Sequence, residues 1–241
     1  MKLIHRFLFV LAVLATRAVS AAEPEAPPVK ELPLPGRVFA VGGRTAFVIE
    51  PAAAPGAGTK AWVWYAPTLP GLPGVEEKWM FEQFLSAGIA IAGIDAGECY
   101  GSPDGRKMYS GLYQEMTEKR GYSRKPVMLG RSRGGLMTLS WAADHPDSVG
   151  GFAGIYPVCD LRSYPGIEKA CGAYALTAAE LEANLKAHNP VDRLAPLAKA
   201  GVPFFAIHGD SDAVVPLAVN SGEVQRRYMA LGGNMELVVP K

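Results

Sequence analysis

Gly130-Arg131-Ser132-Arg133-Gly134 is a G-x-S-x-G pentapeptide. A serine in that setting can act as a nucleophile in acyl transfer if a base and an orienting acid lie beside it. Such a pentapeptide also arises by chance as a glycine-rich turn, so its flanks decide. Val127-Met-Leu-Gly130 before it is apolar and strand-like, and Gly134-Gly-Leu-Met-Thr-Leu-Ser-Trp-Ala-Ala143 after it opens a helix. Strand, tight turn and helix are what a nucleophile elbow needs. Gly130 and Gly134 then relieve crowding at the turn. The backbone N–H of Arg133, at the helix start, becomes an oxyanion donor.

The acid and the base must come from elsewhere. Pro203-Phe-Phe-Ala-Ile-His-Gly-Asp-Ser-Asp-Ala-Val-Val-Pro216 reads as an apolar strand ending in a loop with two carboxylates, Asp210 and Asp212. The four histidines are His5, His145, His188 and His208. His145 ends a helix before proline, as a cap would, and His188 precedes Asn-Pro in a segment of its own, where it is a stand-in base. His208 sits at a strand end beside the acid loop. Arg131 and Arg133 flank the serine, where a guanidinium can grip a substrate carboxylate bidentately or pair with a local acid, Glu98 or Asp95. Glu98, after a central strand, should share that edge, paired with an arginine or touching the substrate.

The rest of the chain must position these groups. Residues 23–36 are Pro- and Glu-rich and predict an extended, poorly ordered lead-in. Arg37–Val41 and Thr45–Glu50 read as a hairpin across Gly42-Gly43, followed by a loop over 51–59. Strands are expected at 61–66, 88–95, 127–130, 151–156, 203–208 and 235–239. Helices are expected at 76–86, 108–120, 136–145 and 221–231. Nearly continuous apolar strands alternating with helices predict a doubly wound α/β domain, its mostly parallel sheet covered on both faces. Residues 159–197 break the rhythm. Thr177-Ala-Ala-Glu180 is a capping box opening a helix that runs to His188. This helical insertion is expected over the carboxyl edge of the sheet, as a lid or substrate wall.

The chain has 241 residues, 49% hydrophobic and 20% charged, with a net charge of +1. That suits one domain (37–241) and gives no support to nucleic acid or anionic membrane as a partner. No phosphate-loop, dinucleotide or zinc pattern occurs, so no cofactor or metal is expected. Lys2 and Arg6, the apolar run Phe7–Ala15 and the small residues around Ala21-Ala22 predict a cleaved signal peptide over 1–22. The mature protein is then secreted or periplasmic, without stable membrane association. An uncleaved anchor is the alternative. Export permits a disulfide between Cys159 and Cys171, leaving Cys99 odd. Three buried thiols are the other reading.

From Trp62 onward the chain resembles the α/β-hydrolase superfamily. The elbow, Ala143-Asp-His-Pro146, the His208–Pro216 loop and Met235-Glu-Leu-Val-Val-Pro240 recur in order. It is most similar to secreted serine esterases and prolyl-oligopeptidase-like hydrolases of bacteria. The resemblance implies Asp212 as the acid, with Asp210 as fallback, and a structural role for His208. It puts the second oxyanion N–H in the loop after residues 61–66, at Thr68 or else Leu69, since Pro67 and Pro70 cannot donate. An arginine beside the serine would add to oxyanion stabilisation, as in glucuronoyl esterases, which it resembles in that one respect. The catalytic histidine should follow the last strand, yet the sequence ends at Pro240-Lys241. It is therefore expected beyond Lys241, with a last helix. The expected function is an exported serine hydrolase acting on a small-molecule ester, or less readily a peptide, since no propeller or gating domain is read. The alternative is a non-catalytic binding protein of the same fold.

Overall fold

The computed structural model describes residues 28–52 and 58–241. The expected signal peptide and part of the 51–59 loop lie outside these residues. An eight-stranded sheet organises the chain: β1 (Arg37–Val41), β2 (Arg44–Ile49), β3 (Trp62–Tyr65), β4 (Ala90–Ile94), β5 (Val127–Arg131), β6 (Gly151–Ile155), β7 (Phe204–Ile207) and β8 (Met235–Val238). Their order is β1-β2-β4-β3-β5-β6-β7-β8, antiparallel across β1, β2 and β4 and parallel from there on. The reversal between β3 and β5 puts the carboxyl ends of both beside one crevice, where ligands bind in open α/β sheets.

Helix α1 (Val75–Ser86) packs on one face, and α2 (Pro103–Gln114), α3 (Gly134–Asp144) and α8 (Ser221–Ala230) pack on the other. Under α2 and α3, Trp64 contacts Trp141 with ring centroids 4.8 Å apart and Tyr109 at 5.3 Å. Under α1, Phe81 meets Tyr65 edge-on at 5.5 Å. The sheet is not covered on both faces throughout. Among the described residues nothing lies over the α1 side of β7 and β8, where Phe205, Ile207 and Val238 are exposed. The crossovers after β5 all run in one direction along the sheet, and right-handedness puts their helices on one side.

Helix α2 begins five residues before its expected start, because Ser102 caps it through the Gly105 N–H (3.3 Å) with Pro103 at the first helical position. It ends in a π turn over Glu115–Lys119. Residues 23–27 of the lead-in lie outside the described residues, and 28–36 are better fixed than expected. Lys30 donates to Asp95 and to the Pro70 carbonyl, both at 2.8 Å, and Leu32 and Leu34 pack against the sheet. Burial raises the Asp95 carboxyl above its usual range, and the Lys30 ammonium opposes that shift. Asp95 therefore pairs with Lys30 and with neither arginine of the elbow.

The insertion holds four short helices: α4 (Ile167–Ala170), α5 (Ala178–Ala183), α6 (Leu185–His188) and α7 (Ala195–Lys199). The Thr177–Glu180 capping box forms in both directions, at 3.2 and 2.8 Å. The single helix expected up to His188 is broken at Asn184, whose side-chain amide donates to the Glu180 carbonyl at 2.9 Å and competes for the backbone acceptor. Leu181 and Leu185 join Leu136, Val158, Tyr174 and Val215 in a second small core, which fixes the insertion over the elbow helix and the acid loop. Buried Asn220 and Asn189 hold its entry, accepting from the N–H groups of Cys159 (2.8 Å) and Leu161 (2.9 Å). The insertion is thus anchored at its base. No helix among the described residues is long and apolar enough to cross a membrane.

No disulfide joins Cys159 and Cys171. Both are free, as is Cys99; the Cys159 thiol points to the Pro157 carbonyl and the Cys171 thiol to the Glu168 carbonyl. Burial, with the Asp160 charge adding to it, pushes the Cys159 thiol far above its ordinary value, so it packs as a small apolar side chain. A thiol titration in denaturant without reductant should therefore count all three cysteines of the sequence. A count of one would restore the expected disulfide.

Candidate active site

Ser132 lies between the end of β5 and the start of α3 with φ +51°, in the left-handed region. A side chain there costs about 1–2 kcal/mol, so the surroundings must enforce the conformation. They do so from three sides. The Ser132 N–H donates to the Ile155 carbonyl (3.0 Å), and its carbonyl accepts from Gly135 (3.0 Å) and Val158 (2.8 Å). A Cβ on Gly130 would stand 2.8 Å from the Gly135 Cα, and one on Gly135 would stand 2.5 Å from the Val158 carbonyl oxygen. Gly134 is less crowded, its nearest contact 3.3 Å from Ala66. The glycine that packs the elbow most tightly is thus Gly135, just outside the pentapeptide.

Arg133 is the N-cap of α3, where helical geometry gives the first amides no internal acceptor. Among the described residues neither its N–H nor that of Gly134 finds a backbone acceptor outside the helix. The loop after β3 comes to the same place: Ala66 and the buried Thr68 both lie against Gly134. Thr68 is therefore beside the elbow as expected, whereas Leu69 is half exposed.

In the acid loop, Asp212 accepts at one oxygen from the N–H groups of Val214 (2.9 Å) and Val215 (2.8 Å). Those bonds orient its carboxylate. Asp210 is exposed, and among the described residues its carboxylate accepts only from the neighbouring Ser211 hydroxyl. The structure thus distinguishes the two carboxylates and favours Asp212 as the fixed one.

Of the three described histidines only His208 lies at the acid loop, and both of its ring nitrogens are engaged. His208 is buried, its Nε2 donating to the Val215 carbonyl (2.7 Å) and its Nδ1 accepting from the Ser221 hydroxyl (2.8 Å). A carbonyl only accepts, so the Nε2 proton is committed there, and Asp212 stands off at 3.8 Å. His145 caps α3 and packs on Trp141 at 4.5 Å. His188, the stand-in base, packs edge-on against Tyr174 at 5.0 Å, with Arg106, Arg193 and Asp144 around it. Desolvation and the two arginine charges lower its pKa. Asp144 ends α3, about 15 Å along the helix from its start beside Ser132. His188 therefore belongs to the wrong end of that helix.

Both arginines beside the serine are paired. Arg133 donates to Glu98 at 2.5 Å, with the Thr68 carbonyl at 3.4 Å and the Tyr164 hydroxyl at 3.5 Å. Burial, reinforced by a hydrogen bond to Glu98, pushes the Tyr100 hydroxyl up to about 12. Glu98, 42% exposed, is thus held between Tyr100 and Arg133 at the crevice rim. Arg131 pairs with neither expected acid. It donates to Glu77 of α1 and to the Tyr156 hydroxyl just after β6. The sequence reading had singled out neither. Glu77 did carry a signal, since it stands three residues after Gly74 at a helix start, the position from which a glutamate reaches back to the cap. It does so at 2.8 Å.

This sheet order and elbow are those of the α/β-hydrolase fold, and three solved structures share it. The puromycin-hydrolyzing peptidase of Mycobacterium tuberculosis superposes with TM-score 0.67 at 16% identity, over 85% of this chain and 36% of that one. The acylaminoacyl peptidase of Pyrococcus horikoshii gives 0.68 at 17%, over 86% and 37%. A lipase/esterase from Lactobacillus plantarum gives 0.64 at 13%, over 85% and 88%. This chain therefore spans little more than a third of the two peptidases. No curated protein matches it by sequence. Residues 114–230 match the prolyl oligopeptidase family, from the end of α2 through the elbow and acid loop to the end of α8. That match covers just under half of this chain, and the solved structures, none above 17% identity, show the α/β-hydrolase fold.

The packing at Gly135 has a direct consequence. Gly135→Ala must displace the Val158 backbone or the elbow, and should cost about 1–3 kcal/mol of unfolding free energy in a urea titration. Gly134→Ala, whose new Cβ has 3.3 Å of clearance, should cost less.

Proposed function

We propose that the chain is the catalytic domain of an exported serine hydrolase that cleaves an ester by acyl transfer at Ser132. The observation that carries the reading is the left-handed serine between β5 and α3. A strained conformation held by three neighbouring segments needs a reason, and presenting a hydroxyl beside free amides is one. In the proposed cycle the Ser132 Oγ attacks the substrate carbonyl and gives its proton to a histidine oriented by Asp212. The N–H groups of Arg133 and Thr68 hold the oxyanion. Collapse expels the alcohol, which takes the proton from the histidine. Water activated by the same base then releases the acid and restores Ser132.

The histidine in this cycle is none of those described. Supporting a position after β8, the Pro240 carbonyl accepts from the Asp210 N–H at 3.3 Å, so the chain leaves β8 at the acid loop. A histidine a few residues further on would emerge beside Asp212. Esters are preferred over peptides because a short insertion anchored on the elbow helix and the acid loop borders the crevice. The engagement of the described histidines favours one second reading, a non-catalytic protein that binds ligands in the crevice.

A fluorophosphonate probe separates the two. With the reading frame continued past Lys241, Ser132 should label, Ser132→Ala should not, and Asp212→Asn should label at least about a hundredfold more slowly. Asp210→Asn should stay within about threefold of the parent, since that carboxylate is only bonded to its neighbour. A well-folded protein that carries a histidine there and never labels would establish the binding protein instead.

A further inference from the structure

We infer that Arg131 is a positioning residue, which ties the backbone on both sides of the crevice floor to one buried carboxylate. The inference rests on the reading of Ser132 as nucleophile. Arg131 immediately precedes Ser132, and its guanidinium bridges two groups from different elements, the Glu77 carboxylate and the Tyr156 hydroxyl. Glu77 is 1% exposed at its side chain and is shared further. One of its oxygens also accepts from the Tyr65 hydroxyl at the end of β3 (3.1 Å), and the other from the Gly74 N–H (2.8 Å). A single carboxylate therefore gathers β3, the start of α1 and the last residue of β5, with Tyr156 one link away.

The placement matches the strain. Tyr156 has φ +36° and Ser132 has φ +51°. Arg131 pairs with Ile155 across the parallel strands, so the next residue on each strand is one of these two strained ones. Their amides are anchored in series, Ser132 to the Ile155 carbonyl (3.0 Å) and Tyr156 to the Ile207 carbonyl (2.8 Å). The Arg131–Tyr156 bond closes that ladder at its open end, just where the strands stop pairing. Partial burial disfavours the guanidinium charge, yet the bonds to Tyr156 and Glu77 outweigh it and raise the Arg131 pKa above its ordinary value. The cation is thus held as a permanent brace. Nε and Nη1 are both engaged among the described residues, so a side-on bidentate grip on a substrate carboxylate through Nε and Nη2 would require breaking the Tyr156 bond.

The first test does not depend on activity. In Arg131→Met, amide hydrogen exchange should quicken at least about tenfold at Ser132 and Tyr156, while Phe47 and Val48 of β2 keep their protection. Tyr156→Phe, which leaves the Glu77 ion pair intact, should give the same local pattern more weakly and covers the case of Arg131→Met failing to fold. Unchanged exchange at the two amides, or a uniform rise that includes β2, would overturn the inference. The second test measures probe labelling of the protein continued past Lys241. The rate of the chemical step should fall about a hundredfold in Arg131→Met with reversible probe affinity unchanged, and Arg131→Lys should recover part of it. Loss of affinity at an unchanged chemical rate would instead make Arg131 a substrate contact and refute the brace. If the parent protein never labels while the exchange pattern appears, the reading of Ser132 fails and the brace stands.

Discussion

The left-handed backbone at Ser132 is the constraint around which the crevice is arranged. A residue with a side chain resists that conformation by about 1–2 kcal/mol, and the structure meets the cost with bonds and shape together. Ile155 and Val158 grip the serine's own peptide groups. Gly130 and Gly135 let α3 approach β5 closely enough for the turn to close. Parallel pairing between β5 and β6 is then a condition of the turn, because β6 supplies the carbonyl that receives the Ser132 N–H.

Charge near the serine is balanced in place. Each flanking arginine has its own carboxylate, Glu77 on the buried side and Glu98 at the rim. The two pairs differ in consequence. Glu77 is enclosed, and leaving such a charge unpaired costs several kcal/mol. Glu98 is 42% exposed, where solvent screening leaves an ion pair little net worth. The first pair is built to stay, and the second can yield to a ligand. Across the crevice, His208 ties the end of β7 to Val215 of the acid loop and to Ser221 at the head of α8. Asn220 reaches from the same helix head to the insertion. The Asp212 loop, the insertion and α8 are therefore one hydrogen-bonded unit.

The sequence made the strands legible because a parallel sheet demands runs such as Ala90–Ile94, apolar at every position. It made the Thr177 cap legible because capping is local chemistry. Ser132 and the pair Asp210 and Asp212 stand out as residue types after strands, and the choice of Asp212 rests on the family resemblance. What was not readable is what depends on distance in space. The Arg131 partner lies 54 residues away on α1, and nothing local marks Tyr156. The Cys159–Cys171 spacing allowed a bridge that the fold does not make, since Cys159 faces inward at the head of the insertion. The break at Asn184 escaped because a capping box marks where a helix starts and says nothing of its length. The lead-in composition suggested disorder, and one lysine finding Asp95 pinned residues around Lys30.

The central claim is that the fold imposes a left-handed conformation on Ser132. Comparing the unfolding free energies of Ser132→Gly and Ser132→Ala tests it most directly, because both remove the hydroxyl and only glycine accepts that conformation freely. In ordinary helix or strand the glycine variant would be the less stable by roughly 0.5–1 kcal/mol. Here the order should reverse, with Ser132→Gly more stable than Ser132→Ala by about 1 kcal/mol. An alanine variant as stable as the glycine variant, or more so, would contradict the account.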